Sequence, residues 1–434
     1  MFKIFLKSSR CDLLVTSIFL QDKSDLDKLK TFYRLTNYII LNIQNNLGGM
    51  EMLKDICNVV DKYDDDRIKL LERMVNIDSG RDNPAGIKEV AHIVGDKLSS
   101  FGFEVEYLEN EGICTHLIAR KAGKGNKNIM VMGHMDTVFA KGTAAERPFT
   151  IKDGKAYGPG VLDMKGGVVI ALSAMQALYE TGWNENNLTV FFCGDEESAH
   201  PKTNAPELFT LEANGKDAVF NMETGDDNGA VVVGRKGVLY PEMHVKGKAV
   251  HAGKDPQKGY SAVLELANKV VDLHNLTDYE SGVTYNVGVI SGGTVPNAVA
   301  GEAHAKIDIR VKTIEQAEQA KEDLKKIAEK IYVPGTQTSV TNDKFSFMPM
   351  ETTDAVMQLF KLVQEQGRLL GIKPEIQPRF VGGGSDACWT VMAGAPSVCA
   401  MGARGELNHG EHEYIQVYSL NERAKLLACS ITAV

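Results

Sequence analysis

No Cys-x-x-Cys pair occurs anywhere in this chain, although it holds seven cysteines. Scattered and odd in number, they suit neither a disulfide framework nor a thiolate metal site. A reducing, cytoplasmic setting is the expectation. A basic excess is also missing. The formal net charge is -9, and neutralising phosphates needs clustered Lys and Arg, so nucleic acid is not an expected partner. The apolar run 13–20, behind Lys3, Lys7 and Arg10, is too short to span a bilayer, and no membrane partner is expected. Gln21-Asp22-Lys23 after it offers no small-x-small cleavage site. The turn Gly158-Pro159-Gly160 lacks the full Gly-x-Gly-x-x-Gly and its ribose acid, which argues against a dinucleotide.

What is present is an ordinary globular mix, 43% hydrophobic and 24% charged over 434 residues, with room for two or three domains. Residues 1–49 read as a leader outside the fold. The convincing pattern starts near Met50 or Met52. Ile68, Leu71, Met74 and Val75 fit one helix, and Val90, Ile93, Val94 and Leu98 a second that Gly102 stops. Short strands follow at 105–108 and 116–119.

The run Asn128-Ile129-Met130-Val131-Met132 reads as a buried strand and leads to His134 and Asp136. A Gly-rich turn over 157–167 feeds a helix from Val168 to Tyr179 that is apolar nearly all round and so buried. Strand 187–193 ends in Asp195-Glu196-Glu197, and strand 217–222 ends in Glu223. Strands alternating with helices imply a largely parallel sheet, whose ligands sit beyond the carboxyl ends of its strands. Three such ends carry His or acidic groups. Carboxylates sharing one crevice repel, so a cation is needed to keep them ionised.

From 236 to 343 the pattern changes. Strand 238–245, a helix through Val263 to Leu273, strands 284–290 and 298–311, a charged helix over 313–331 and strand 336–341 spell β-α-β-β-α-β, the ferredoxin-like order. Strand 298–311 alternates cleanly, as a half-exposed antiparallel strand does. The expectation is an inserted lid and dimerisation domain over 236–343, within a catalytic domain of 50–235 and 344–434. After the insert come a helix over 354–370, the run Gly382-Gly383-Gly384-Ser385-Asp386, a helix over 387–392, strand 396–401, His409 and a last helix over 419–432.

The ordered set His134-x-Asp136, Gly160-x-x-Asp163-x-Lys165-Gly166-Gly167, Asp195-Glu196-Glu197, Glu223 and His409 resembles the signature of the two-zinc exopeptidases and deacylases. These include carboxypeptidase G-type glutamate carboxypeptidases, aminoacylases, peptidase T and succinyl-diaminopimelate desuccinylase. The resemblance covers roughly 52–434. His251-Ala252-Gly253, Val295-Pro296-Asn297 and the Gly-Gly-Gly-Ser-Asp run look closest to the carboxypeptidase G branch. The fold it implies is α/β: a mostly parallel-sheet zinc-peptidase domain with a ferredoxin-like α+β lid.

The resemblance also implies roles. Asp163 bridges two zinc ions per subunit; His134 and Glu223 complete one site, Glu197 and His409 the other. Cobalt or manganese would suit the same N/O donors. Asp136 accepts the other ring N–H of His134, and Glu196 is the general base. His412 competes with His409, but the His-x-x-x-Glu spacing from His409 to Glu413 resembles the family pattern. His251, Asn297 and Arg310 hold the scissile carbonyl or a substrate carboxylate, His251 acting across a homodimer interface. Arg can grip a carboxylate through two N–H bonds.

Two stretches depart from that pattern. Where glutamate-cutting relatives tend to carry an extra arginine, this chain reads Thr341-Asn342-Asp343-Lys344. His200-Pro201-Lys202-Thr203 replaces a small Gly/Ser-rich turn after the Glu pair. Strict glutamate preference is therefore in doubt. The expected activity is metal-dependent hydrolysis of an amide or peptide bond next to a free carboxylate, on a small peptide or N-acyl amino acid. An N-acyl-amino-acid deacylase is the alternative, and a non-catalytic carboxylate-binding protein the remote one.

Overall fold

The strand Asn128–His134 is buried from Ile129 onward, as its unbroken apolar run demands. It lies inside a six-stranded sheet of order Glu104–Asn110, Cys114–Lys121, Asn187–Cys193, Asn128–His134, Ala218–Asn221, Ser397–Val398. The first two pairings are antiparallel and the other three parallel. The parallel half therefore carries His134, the Asp195–Glu197 turn and Glu223 at one end of the sheet. The computed structural model describes residues 51–434, so the leader expected over 1–49 lies outside the described residues.

Both faces of this sheet are covered. Met130, Met132 and Phe191 point to the helix Ala205–Ala213, where Phe191 stacks on Phe209 with ring centroids 4.1 Å apart. On the other side runs the helix Gly166–Glu180, packed against the C-terminal helix Tyr418–Thr432. It begins two residues before the expected Val168, because the Gly-rich turn coils into an irregular helical turn over Val161–Lys165. The chain can approach so closely here because it lacks side chains: a Cβ on Gly167 would meet the Met222 carbonyl oxygen at 1.9 Å. The segment Val161–Glu180 is long and apolar enough to cross a membrane, but 89% of its apolar window is buried in this fold.

The ferredoxin-like order appears as Glu242–Lys246, Ala262–Asn275, Thr284–Gly292, Glu302–Val311, Ile314–Glu329 and Gln337–Thr341. The strands lie Thr284–Gly292, Glu302–Val311, Glu242–Lys246, Gln337–Thr341, all antiparallel. Strand Glu302–Val311 alternates exposed and buried residues along its first half, with Ala303, Ala305, Ile307, Ile309 and Val311 in the core. Thr313 and Gln316 close a capping box at the start of helix Ile314–Glu329.

Three expected strands need correction: 298–311 begins only at Glu302, 396–401 is confined to Ser397–Val398, and 238–245 is broken. The strand expected over 238–245 is split into Gly237–Leu239 and Glu242–Lys246. Pro241 has no N–H for the ladder, so the chain breaks at Tyr240-Pro241 while both pieces still pair with Glu302–Val311. A five-stranded sheet of Thr150–Lys152, Lys155–Tyr157, Tyr414–Gln416, Arg404–Glu406 and Gly225–Asp226 was also not expected. Its strands are too short to show a period.

Candidate metal centre

Asp163 sits between two histidines. Its Oδ1 lies 3.2 Å from His134 Nε2 and its Oδ2 lies 3.2 Å from His409 Nε2. Glu223 Oε1 is 3.7 Å from His134 Nε2, and Glu197 Oε2 is 3.4 Å from His409 Nε2. Two donor groups result, His134/Asp163/Glu223 and Asp163/Glu197/His409, which share Asp163. Glu196 stands beside them, its Oε2 4.0 Å from His134 Nε2. His412, the competitor of His409, is exposed and joins no such group among the described residues.

The crowding shows in the acidities. Burial, with repulsion from Asp163 and Glu197, pushes Glu223 up to about 7. Burial likewise raises Glu196 well above the carboxylate range, with Glu223 and Glu197 adding repulsion. The histidines shift upward as well, which favours their charged forms. The bonds to Asp163 and Glu197 lift His409 to about 10. Burial opposes charge on His134, but Asp136 and Asp163 outweigh it and raise its pKa. Glu197 Oε1 is buried with no hydrogen-bond partner. Two imidazoles, three carboxylates and an orphaned carboxylate oxygen fit divalent cations with N/O preference.

Asp136 has partners beyond the expected His134. His134 Nδ1 meets the backbone carbonyl of Asp136 at 3.1 Å and lies 3.5 Å from its carboxylate. The two carboxylate oxygens also accept the backbone N–H groups of Glu196, at 3.1 Å, and Glu197, at 3.0 Å.

Sequence reasoning missed several supports. Glu413 accepts N–H groups from Gly160, Leu162 and Asp163 at 3.2, 2.7 and 2.9 Å, fixing the turn that carries Asp163. Asn408 donates to Asp163 Oδ2 at 3.0 Å. Arg235 is 9% exposed and donates to the Gly384 carbonyl at 3.0 Å, yet its Nε has no partner. Its place at the end of the apolar strand Val231–Arg235 was the available signal.

The substrate candidates lie apart from this cluster. His251 and Asn297 are exposed neighbours, joined by an Ala252 N–H to Asn297 carbonyl bond of 2.9 Å. Arg310 donates Nε and Nη2 to Asp308 at 2.6 and 3.0 Å, Nη2 to the Tyr240 hydroxyl at 2.6 Å and Nη1 to the Gly382 carbonyl at 3.3 Å. No hydrogen bond or ion pair among the described residues ties these three to the donor groups.

Comparison with known proteins supplies the family. Residues 130–433 match the model of peptidase family M20/M25/M40. Carboxypeptidase G2 of Pseudomonas sp. (strain RS-16) is 29% identical over 374 residues, covering 83% of this chain and 87% of that protein. A succinyl-diaminopimelate desuccinylase of Dechloromonas aromatica is 28% identical over 285 residues, covering 61% and 73%. The crystal structure of aminopeptidase PepT from Bacillus cereus superposes with a TM-score of 0.70 at 22% identity, covering 85% of this chain and 98% of that one, a likeness of fold. The chain therefore belongs to peptidase family M20/M25/M40 and is a metallohydrolase of the metallopeptidase and amidohydrolase kind.

Proposed function

We propose that this enzyme cleaves an amide or peptide bond next to a free carboxylate, in the manner of a glutamate carboxypeptidase. The observation that carries the reading is Asp163 set between two histidine–carboxylate groups with Glu196 beside them. Likeness to carboxypeptidase G2 over most of both chains supports it. His134, Glu223 and Asp163 would hold one cation; Glu197, His409 and Asp163 the other, zinc being the natural choice for these donors. Cations bound there acidify water and polarise the scissile carbonyl.

The protein's own groups do the rest. Glu196 takes the proton of the attacking water and returns it to the leaving nitrogen. Asp136 holds the backbone of Glu196 and Glu197 still while this happens. Arg235 and Arg310, both donating to the glycine run, give the crevice the cationic lining a substrate carboxylate needs. His251 and Asn297 supply donors for the carbonyl oxygen, reached when the lid closes.

A deacylase reading is favoured by one observation. The Arg310 fork is filled by Asp308, so it must let go before it can grip a glutamate side chain. The desuccinylase similarity points the same way. We also infer a homodimer through the lid, where Val263, Leu264 and Val271 on one helix and Val289 and Ile290 on an edge strand are exposed. A reducing compartment suits the free thiols of the described cysteines.

The test is hydrolysis of a panel of N-acyl amino acids and dipeptides by zinc-loaded protein, chelated protein and Glu196→Gln. Activity should vanish in the last two while Glu196→Gln still binds metal, and the panel separates carboxypeptidase from deacylase. Full activity in Glu196→Gln would remove Glu196 as the base.

A further inference from the structure

His200 is buried, and both its ring nitrogens are taken. Nδ1 lies 2.7 Å from Asp195 Oδ1 and Nε2 lies 2.7 Å from Asp386 Oδ1. With carboxylates on both sides, the arrangement suits a ring that donates from both nitrogens, an imidazolium. The remaining faces are closed. Thr203 Oγ1 donates to Asp195 Oδ2 at 2.7 Å, Trp389 Nε1 to Asp386 Oδ1 at 3.1 Å and Cys193 Sγ to Asp386 Oδ2 at 3.3 Å. Phe347 meets the ring edge-on at 6.3 Å. His116 is the other imidazole nearby, and its Nδ1 accepts the Gly194 N–H, so it does not share the charge through that nitrogen. Cys193, Asp195 and His200 are close enough to ligate a metal, but His200 has no lone pair left to give.

The triad joins two segments that are far apart in sequence. Asp195 opens the turn that carries Glu196 and Glu197. Asp386 closes the glycine run, whose Gly384 and Gly382 carbonyls are held by Arg235 and Arg310. Ala199 and His200 adopt left-handed backbone, φ 56° and 53°, which turns the ring back under the acids. Non-glycine residues keep that conformation only where their surroundings enforce it.

We infer that His200 is a positioning residue, a buried cationic latch that fixes the Glu196-bearing turn to the glycine run where substrate lies. This rests on the reading of Glu196 as the base and of the glycine run as a wall of the substrate crevice. Because one side chain holds both, loosening it misplaces base and substrate together. The two carboxylates outweigh burial and keep the ring protonated.

The test uses the metal-loaded enzyme with His200→Gln, Asp386→Asn and the double variant, recording metal content, kcat and KM. His200→Gln should keep its metal, since none of the proposed ligands touches His200, and lose roughly 10- to 100-fold in kcat with a raised KM. The double variant should be no worse than the poorer single one, because the two act through one contact. Kinetics within about twofold of wild type in metal-replete His200→Gln, or single effects that multiply in the double, would overturn the latch. Should the variants not fold, ¹⁵N-histidine spectra of the wild-type holoenzyme near neutral pH decide. A buried ring protonated at both nitrogens supports the latch, and a neutral His200 ring ends it. Full activity in Glu196→Gln would sink the base assignment alone, leaving the His200–Asp386 coupling measurable.

Discussion

The Glu413 carboxylate accepts the backbone N–H of Asp163, 250 residues earlier in the chain, at 2.9 Å. The same carboxylate also accepts from Gly160 and Leu162. One buried acid thus fixes the turn on which the shared carboxylate stands. Glu413→Ala leaves three N–H groups without an acceptor and frees Asp163 to drift. Zinc affinity should fall by roughly 10- to 100-fold, as it does when outer-shell partners are removed elsewhere. Glu413→Gln keeps one acceptor oxygen and should lose less. Competition with a coloured chelator measures both, and equal wild-type affinity in both variants would show the turn needs no such anchor.

Asp136 divides its two carboxylate oxygens between the backbones of Glu196 and Glu197. Asp136→Asn keeps one acceptor and places an NH₂ against the other N–H. The expected outcome is a kcat lower by about 100-fold, the scale on which small misplacements act, with metal content preserved. A kcat drop that simply tracks metal loss would instead assign Asp136 to metal retention through His134.

His134, Glu196, Glu197 and Glu223 were readable because strand ends leave local marks, while Asp163 and His409 joined them only through the resemblance of the ordered set to a known family. Parallel strands buried on both faces carry unbroken apolar runs, and each stops where the polar group begins. The lid was equally plain, since strand Glu302–Val311 alternates with period two. What escaped was non-local. Nothing near Glu413 announces that it caps a turn at Gly160, and His200 looked like a mere departure until Asp386 folded against it. The hold of Asp136 on Glu196 and Glu197 escaped for the same reason: these partners are backbone amides, which have no sequence signature.

Removing the metals should destabilise the enzyme. Without cations, buried Glu223 and half-buried Glu196 and Glu197 are acids with raised pKa values. Cations that bind only the folded chain stabilise it by about 2.7 kcal/mol each at one hundred times their dissociation constant. Chelator should therefore lower the melting temperature, and zinc should restore it. An unchanged melting temperature in metal-free protein, verified by elemental analysis, would count against a cation at these donors.

The lid holds its own pH-sensitive pair. Glu265 and Lys269 are both fully buried, with Lys269 Nζ 3.2 Å from Glu265 Oε1. Glu265 Oε2 also accepts the N–H groups of Tyr332 and Val333, at 2.8 and 2.6 Å, clamping the helix Ala262–Asn275 to the chain after Ile314–Glu329. Burial alone would raise the pKa of Glu265, but the Val333 bond, Lys269 and the Tyr332 bond outweigh it and hold it below the usual value. A carboxylate with a depressed folded-state pKa gives its full stabilisation above the unfolded value, about 4.3. It loses that stabilisation as pH falls below this value toward the folded pKa. Glu265→Gln leaves Lys269 buried without its counter-charge and should cost about 3–5 kcal/mol at neutral pH. Denaturant titrations of both proteins from neutral pH down to about pH 3 should show the gap narrowing only below about pH 4.3. A gap independent of pH would mean that Glu265 acts by shape and hydrogen bonding, with its charge contributing nothing to the fold.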